Sequence, residues 1–240
     1  MPLLCLSACA PTPAKRELHV AAAANLANVF ERMGEAFEKR SGIHVVRSYG
    51  STALLAQQIE NGAPYDLFLA ADTAHVDLLV KKGLAGSPAV YARGSLALWI
   101  PKRPDVHSLQ DLVNPNIRSV IIAKPELAPY GQAAVESLKS LKLWKSVEPK
   151  VIYAQNISAA KQYADTGNGD AAFTALALVI DSPAHFIAVA DSLHRPIDQA
   201  MCIMKSSRKV GLATVFENFL LEGEGKLILK RFGYIAPPKS

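Results

Sequence analysis

Residues 48–72 read SYGSTALLAQQIENGAPYDLFLAAD. Gly50-Ser51-Thr52 is a polar turn. Ala53–Asn61 has the apolar spacing of a helix and runs into Gly62 and Pro64, residues that stop one. Asp66–Ala70 is an apolar run of strand length. Asp72 then stands where the N-cap of a helix over Thr73–Lys82 belongs, with Gly83 as its stop. With His44–Ser48 as a strand before the turn, the order is strand, helix, strand, helix. Strands joined through helices pair parallel, because a tight hairpin cannot connect them.

The same alternation extends both ways. Upstream, Leu18–Ala23 is a short apolar run. Ala27–Arg40 places Val29, Phe30, Met33 and Phe37 on one helical face, and Gly42 sits where a left-handed cap would close it. Downstream, Val90–Tyr91 and Ser95–Ile100 are β-like, and Ser108 with Asp111 makes a capping-box-like helix opening. Strands at Ser119–Ala123, Val151–Tyr153, Ala171–Thr174, Phe186–Val189 and Ala200–Met204 then interleave with helices at Gly131–Leu143 and Ser158–Thr166. Val210–Leu220 and Glu224–Phe232 close the chain as helices. The pattern predicts an α/β fold of mixed, mostly parallel sheets covered by helices. Alternation breaks twice, near residues 91–100 and 195–204, where strands follow one another without a helix. Two breaks suit two lobes with two crossings, near Tyr91–Ser95 and His194–Asp198. The expected division is a tether over 1–16, a first lobe of 17–92 with 196–240, and a second lobe of 93–195.

Composition narrows the function classes. Half of the 240 residues are hydrophobic and a fifth charged, so the chain can bury a sizeable core. Only 7% are aromatic, which disfavours a single-strand nucleic-acid binder built on stacking. The net charge is +5, but the basic residues are dispersed; the densest set is Lys139, Lys142, Lys145 and Lys150, too sparse for a nucleic-acid footprint. The longest internal apolar stretch, Ala171–Ile180, is too short to span a bilayer.

Leu6-Ser7-Ala8-Cys9 resembles the lipobox of bacterial lipoprotein signal peptides. Cys9 would then carry the lipid, and residues 10–16, with Pro11 and Pro13, would form a tether. No basic residue precedes Lys15, so the segment reads as the remnant of an export signal. Cys5 would leave with that signal and Cys202 would stand alone. No CxxC pair exists to support zinc or thioredoxin-like chemistry.

Catalytic motifs are absent: no GxSxG, GxxxxGK[ST], HExxH or post-strand GxGxxG. The six histidines lack metal-ligand spacing, and Asp66 and Asp72 read as turn or capping residues. What remains is four turns, each before a helix: Ala24-Asn25, Gly50-Ser51-Thr52, Ala128-Pro129-Tyr130-Gly131 and Asn156-Ile157-Ser158. A helix start has unpaired N–H groups and a partial positive charge. Plain capping accounts for any one of these turns; several converging would make an anion site without Lys or Arg.

At these residues the chain resembles the periplasmic molybdate-binding proteins, receptors of molybdate ABC transporters. The resemblance covers about residues 17–236. It is carried by VAAAANLANVF at 20–30, the 48–72 stretch, APYG at 128–131, QNISAA at 155–160, GNGDAAFTAL at 167–176 and KRFGY at 230–234. It implies a two-lobed type II periplasmic-binding-protein fold with the oxyanion in the cleft between lobes. It also implies a ligand set of Ala24, Asn25, Ser51, Thr52, Tyr130 and Ile157, with Asn25 and Thr52 donating from their side chains and Ile157 from its backbone N–H. Thr174 falls where one branch places a tyrosine ligand and is too short for that role, which leaves Tyr130 to supply a phenol. The implied ligand is molybdate or tungstate; the partner is an ABC permease, with no cofactor, no resident metal cation, no nucleic acid and no catalysis. The expected setting is the periplasm or extracytoplasmic face, as a monomer held to the membrane only through Cys9. The alternatives are a receptor for sulfate or phosphate, or a cytoplasmic anion-sensing effector domain; the latter would need a helix-turn-helix region before residue 17, and none is read there.

Overall fold

The computed structural model describes residues 16–237. Leu6–Cys9 and the expected lipid attachment at Cys9 lie outside these residues. The chain enters on β1 (Glu17–Ala23) and passes a 3-10 turn at Ala24–Leu26 into α1 (Ala27–Ser41). Val29, Phe30, Met33 and Phe37 form the buried face of α1, as their spacing predicts. Gly42 ends the helix at φ 66°, its N–H donating to Glu38 O at 2.9 Å. Then come β2 (His44–Gly50), α2 (Thr52–Glu60), β3 (Leu67–Leu69), α3 (Ala74–Lys81) and β4 (Ala89–Gly94).

Ser95 alone separates β4 from β5 (Leu96–Trp99). A 3-10 turn at Leu109–Val113 follows, opened by Ser108, whose N–H donates to the Asp111 carboxylate at 2.8 Å. The chain continues through β6 (Val120–Ala123), α4 (Pro129–Ser140), α5 (Trp144–Val147), β7 (Val151–Ala154), α6 (Ile157–Thr166), β8 (Ala171–Ala175) and β9 (Phe186–Ala188). It ends with β10 (Ile197–Ile203), α7 (Val210–Leu221) and α8 (Glu224–Arg231).

The strands make two five-stranded sheets, ordered β2-β1-β3-β10-β4 and β7-β6-β8-β5-β9. In each, the strands joined through helices are parallel, as the alternation predicts. The antiparallel pairings come from β10 in the first sheet and β5 in the second, strands that follow the chain's passage between sheets. At that passage Ile197 stands opposite Gly94 in the ladder.

Side-chain alternation sorts the first sheet's two faces. Leu18, Val20 and Ala22 of β1 pack under α1, α7 and α8, while Ala21 faces α2 and α3. Phe30, Phe37, Phe216 and Phe219 fill the first face with neighbouring ring centroids 4.9–6.1 Å apart. The second sheet has its own core, with Phe173, Leu138 and Val147 among the buried side chains. Cys202 lies in β10, buried, and burial pushes its thiol up to about 12, outside the reactive range at neutral pH. Lys150 of the four-lysine set is structural: its Nζ donates to the carbonyls of Leu112, Val113 and Asn114 at 2.8–3.2 Å. No helix among the described residues is long and apolar enough to cross a membrane.

Three helices begin earlier than periodicity places them. They start at Thr52, Pro129 and Ile157 rather than Ala53, Gly131 and Ser158. Thr52, Tyr130 and Ile157 continue the buried faces of their helices, but each stands in a polar or proline-containing turn that reads as a loop; proline, with its fixed φ, is at home in a first helical turn. Strand β10 likewise begins at Ile197 rather than Ala200, because paired backbone continues past the apolar run.

Candidate ligand-binding site

These helix starts meet. Ala24, Asn25, Ser51, Thr52, Tyr130 and Ile157 all line one small cavity between the two sheets, together with Ala71 and Ala128. It is lined from the starts of α2, α4 and α6 and the turn before α1. No charged side chain lines it.

The caps explain why these ends have donors to give. Asn156 caps α6 in the ordinary way, its Oδ1 accepting from Ala159 N–H at 2.9 Å. Ala128 at the N-cap of α4 has no side-chain acceptor, and Pro129 after it has no N–H, so the N–H of Tyr130 is the first that α4 has to offer. Ser51 at the N-cap of α2 makes no capping bond. Its Oγ is buried without a protein partner, in a residue only 3% exposed. An orphaned buried hydroxyl beside an uncapped helix start is costly unless something else accepts its hydrogen. Thr52 Oγ1 accepts the N–H of Ala71 at 3.1 Å, which leaves the hydroxyl hydrogen to donate. Ile157 is the first residue of α6, where helix N–H groups lack an intrahelical partner.

Two side chains do other work than expected. Both Nδ2 hydrogens of Asn25 are engaged within the protein, to Gln199 Oε1 and to Tyr234 OH, each at 2.9 Å. The donor left at this position is the backbone N–H. The Tyr130 phenol accepts from Gln199 Nε2 at 2.9 Å and lies against Gly94, so it faces the strand crossing. Thr174 does not line the cavity; its hydroxyl reaches Ile157 O at 3.5 Å, behind the start of α6.

Gln199 joins these groups. Its Oε1 also accepts from Tyr91 OH at 2.8 Å, and Tyr91 OH lies 3.0 Å from Ala70 O. Tyr234 OH returns a bond to Asn25 O at 3.1 Å. Burial holds the Tyr91, Tyr130 and Tyr234 phenols well above their ordinary range, so all three are neutral. The network of Gln199, Tyr91, Tyr234 and Gly94 was not read from the sequence. The signal available was Gln199 itself, a lone amide at the head of the apolar run Ala200–Met204.

The cleft is closed around the cavity. Ser158 Oγ at the start of α6 donates to Ala24 O at 2.8 Å, and Ala53 N–H in α2 donates to Leu127 O at 3.2 Å. A wider groove adjoins the cavity at Ala71 and Pro129, but its charges are used up in pairs. Arg195 is bonded to Glu136 and Asp198 to Arg93, the latter pair at 2.6 and 3.0 Å. Among the described residues, no cluster of His, Cys, Asp or Glu could hold a metal cation. The small cavity is therefore a place for a compact, fully desolvated group that accepts hydrogen bonds on all sides.

Comparison with known proteins places the chain in a family. Residues 18–235 match the family described as bacterial extracellular solute-binding protein. The molybdate-binding protein ModA of Azotobacter vinelandii is 34% identical over 236 residues, covering 95% of this chain and 93% of the relative. ModA of Rhodobacter capsulatus is 32% identical over 222 residues, covering 91% and 88%. The solved periplasmic molybdate-binding protein of Azotobacter vinelandii superposes with a TM-score of 0.88 at 31% identity, covering 92% of this chain and 99% of that one.

Proposed function

The chain belongs to the bacterial extracellular solute-binding protein family, and from that premise we propose that it captures molybdate or tungstate and delivers it to the permease of an ABC importer. The observation that carries this reading is the cavity itself: uncapped helix starts, the unpartnered Ser51 hydroxyl and the Thr52 hydroxyl face one small space with no cation in its lining. Such a lining is rich in donors and poor in acceptors, which suits a tetrahedral dianion held by neutral groups. The relatives' ligand, by name, supports the same choice.

Ala24, Asn25, Ser51, Thr52, Tyr130 and Ile157 are the binding residues of this reading. Asn25, Tyr130 and Ile157 donate from the backbone, and Ser51 and Thr52 from their hydroxyls. The two lobes, each built on one of the sheets, close on the ion about the crossings at Gly94–Leu96 and Ala188–Ile197. The protein works as a monomer on the extracytoplasmic side, held to the membrane by lipid on Cys9, and performs no chemistry on its ligand.

Selectivity follows from the lining. Phosphate near neutral pH carries a proton, and burying that O–H in a lining with few acceptors costs up to about 1–3 kcal/mol. Molybdate, tungstate and sulfate are unprotonated dianions there. Sulfate has shorter bonds, so its oxygens fall short of donors spaced for the larger ions in a closed cleft. The expected order is molybdate and tungstate, then sulfate, then phosphate.

A thermal-shift panel of oxyanions tests this. At one hundred times the dissociation constant, ligand adds about 2.7 kcal/mol, which raises the melting temperature of a chain this size by roughly 5–10 °C. Molybdate and tungstate should do so at micromolar levels at which sulfate and phosphate do almost nothing. Equal shifts from phosphate or sulfate, or no shift from any oxyanion, would refute the reading.

A further inference from the structure

Gln199 lies in β10, outside the cavity lining, and is fully buried. Through one side-chain amide it holds three elements far apart in sequence. Its Oε1 takes Asn25, in the turn before α1, and Tyr91, in β4. Its Nε2 holds Tyr130, in the first turn of α4. Asn25 and Tyr130 are residues whose backbones border the cavity, and they come from opposite sides of the cleft. An Asn25 anchored by its side chain fixes where its own N–H points, and the same holds for Tyr130.

The approach is tight. A Cβ on Gly94 would lie 2.0 Å from Tyr130 OH and 2.5 Å from Gln199 Nε2, so the network has no slack on the side of the crossing. On the other side, Tyr234 fastens Asn25 twice, through its Nδ2 and its main-chain oxygen. A buried amide with its partners in place is rigid, and one deprived of them is expensive.

We infer that Gln199 is the positioning residue of the site. It makes no contact with the ion, and in the closed cleft it holds the backbone donors of Asn25 and Tyr130 at a fixed separation. This rests on the oxyanion-binding reading above. The physical gain is that once the cleft closes the protein itself holds these donors in place, so less of their ordering cost subtracts from affinity.

Calorimetric titration with molybdate of the wild-type protein, Gln199→Leu, Tyr130→Phe and the double variant tests the inference. Leucine keeps most of the volume and removes all three bonds, leaving one Asn25 Nδ2 hydrogen without an acceptor while Tyr91 OH keeps Ala70 O. Gln199→Leu should bind about ten- to a hundredfold more weakly. Tyr130→Phe keeps its backbone N–H and should lose affinity through Gln199 alone. The double variant should therefore be no more than about threefold weaker than Gln199→Leu, which is the coupling expected of partners in one network. A role confined to stability would lower the melting temperature and leave the affinity of the folded protein unchanged.

Affinity of Gln199→Leu within threefold of wild type, or fully additive losses in the double variant, would overturn the inference while wild-type binding stands. Absence of binding by the wild type would overturn the oxyanion reading and this inference with it. Should Gln199→Leu not fold, Tyr91→Phe decides the matter, because Tyr91 does not line the cavity. It should weaken molybdate binding at least threefold, and unchanged affinity overturns the inference.

Discussion

Replacing Gly94 by alanine adds one methyl group at the most crowded point of the molecule. The backbone there accepts alanine, since Gly94 is not among the glycines at positive φ. Space is the whole issue. The new Cβ would stand 2.0 Å from Tyr130 OH, 2.5 Å from Gln199 Nε2 and 2.9 Å from Tyr130 Cζ. Ordinary contact needs about 3.4–4 Å, so the phenol must retreat by more than 1 Å. That is enough to break the 2.9 Å bond from Gln199. Overpacking costs about 1–3 kcal/mol and an unpaired buried polar group about 1–3 kcal/mol more. The closed arrangement thus loses about 2–6 kcal/mol. Swinging α4 and its Tyr130 away from the crossing relieves the clash, and that movement opens the cleft. The cost should therefore fall on binding more than on folding. Affinity for molybdate should drop by at least about thirtyfold, the value for the lower bound at ~1.4 kcal/mol per decade. Calorimetry gives the affinity and urea unfolding of the ligand-free protein gives the stability. Gly211→Ala, in α7 with nothing within 4 Å of the added Cβ, is the control and should stabilise slightly. A Gly94→Ala protein that binds molybdate within threefold of wild type would refute the reasoning.

Two further outcomes are expected. Ser158→Ala removes a bond across the cleft, Ser158 Oγ to Ala24 O, without touching the cavity lining; a neutral hydrogen bond of about 0.5–1.5 kcal/mol predicts a two- to tenfold loss of affinity by calorimetry, with little change in the ligand-free melting temperature. His75 has its pKa raised, chiefly by its 2.8 Å hydrogen bond to the Asp72 carboxylate. Its protonated form is the one folding favours, so the contribution is complete below about pH 6.5 and is lost as pH rises through the folded-state value. Melting curves between pH 6 and 8 should show a decline with rising pH in wild type that His75→Gln lacks; parallel curves would count against the pair.

The parts of the fold that could be read in the sequence are those written locally. The Gly62–Pro64 break, the Gly42 cap at φ 66° and the i, i+4 spacing of Val29, Met33 and Phe37 depend on neighbours a few residues away. The two interruptions of the strand–helix rhythm were legible for the same reason: a single residue, Ser95, lies between β4 and β5. The cavity was half legible. Polar turns before helices mark where donors can be, and the structure brings those turns together. Which atom faces inward was not legible, because Asn25 and Tyr130 are committed to Gln199, 174 and 69 residues away. Nothing within a window of the chain around Asn25 announces that its amide is already engaged. Ser51 shows the converse: its residue type suggests a cap, and only the finished fold shows that it makes no capping bond.

The ladder pairing of Ile197 with Gly94 has a consequence for how such a chain can be cut and rebuilt. Cα atoms paired across an antiparallel ladder lie about 5 Å apart. The whole span from 95 to 196 therefore leaves and re-enters the first sheet at one doorway. β4 and β10 already run antiparallel there. Deleting that span and joining its ends with a two-residue Asn-Gly turn would need no rearrangement of the strands, only the closing of a hairpin. The excised segment, its two ends side by side, has the layout that tolerates transplantation into another protein's surface loop or a change of chain start. Half-receptors made this way would hold the turns at Ala24-Asn25 and Ser51-Thr52 on one molecule and those at Tyr130 and Ile157 on another. The anion could then act as the glue between two separate polypeptides, an oxyanion-gated dimeriser built from one ancestral chain.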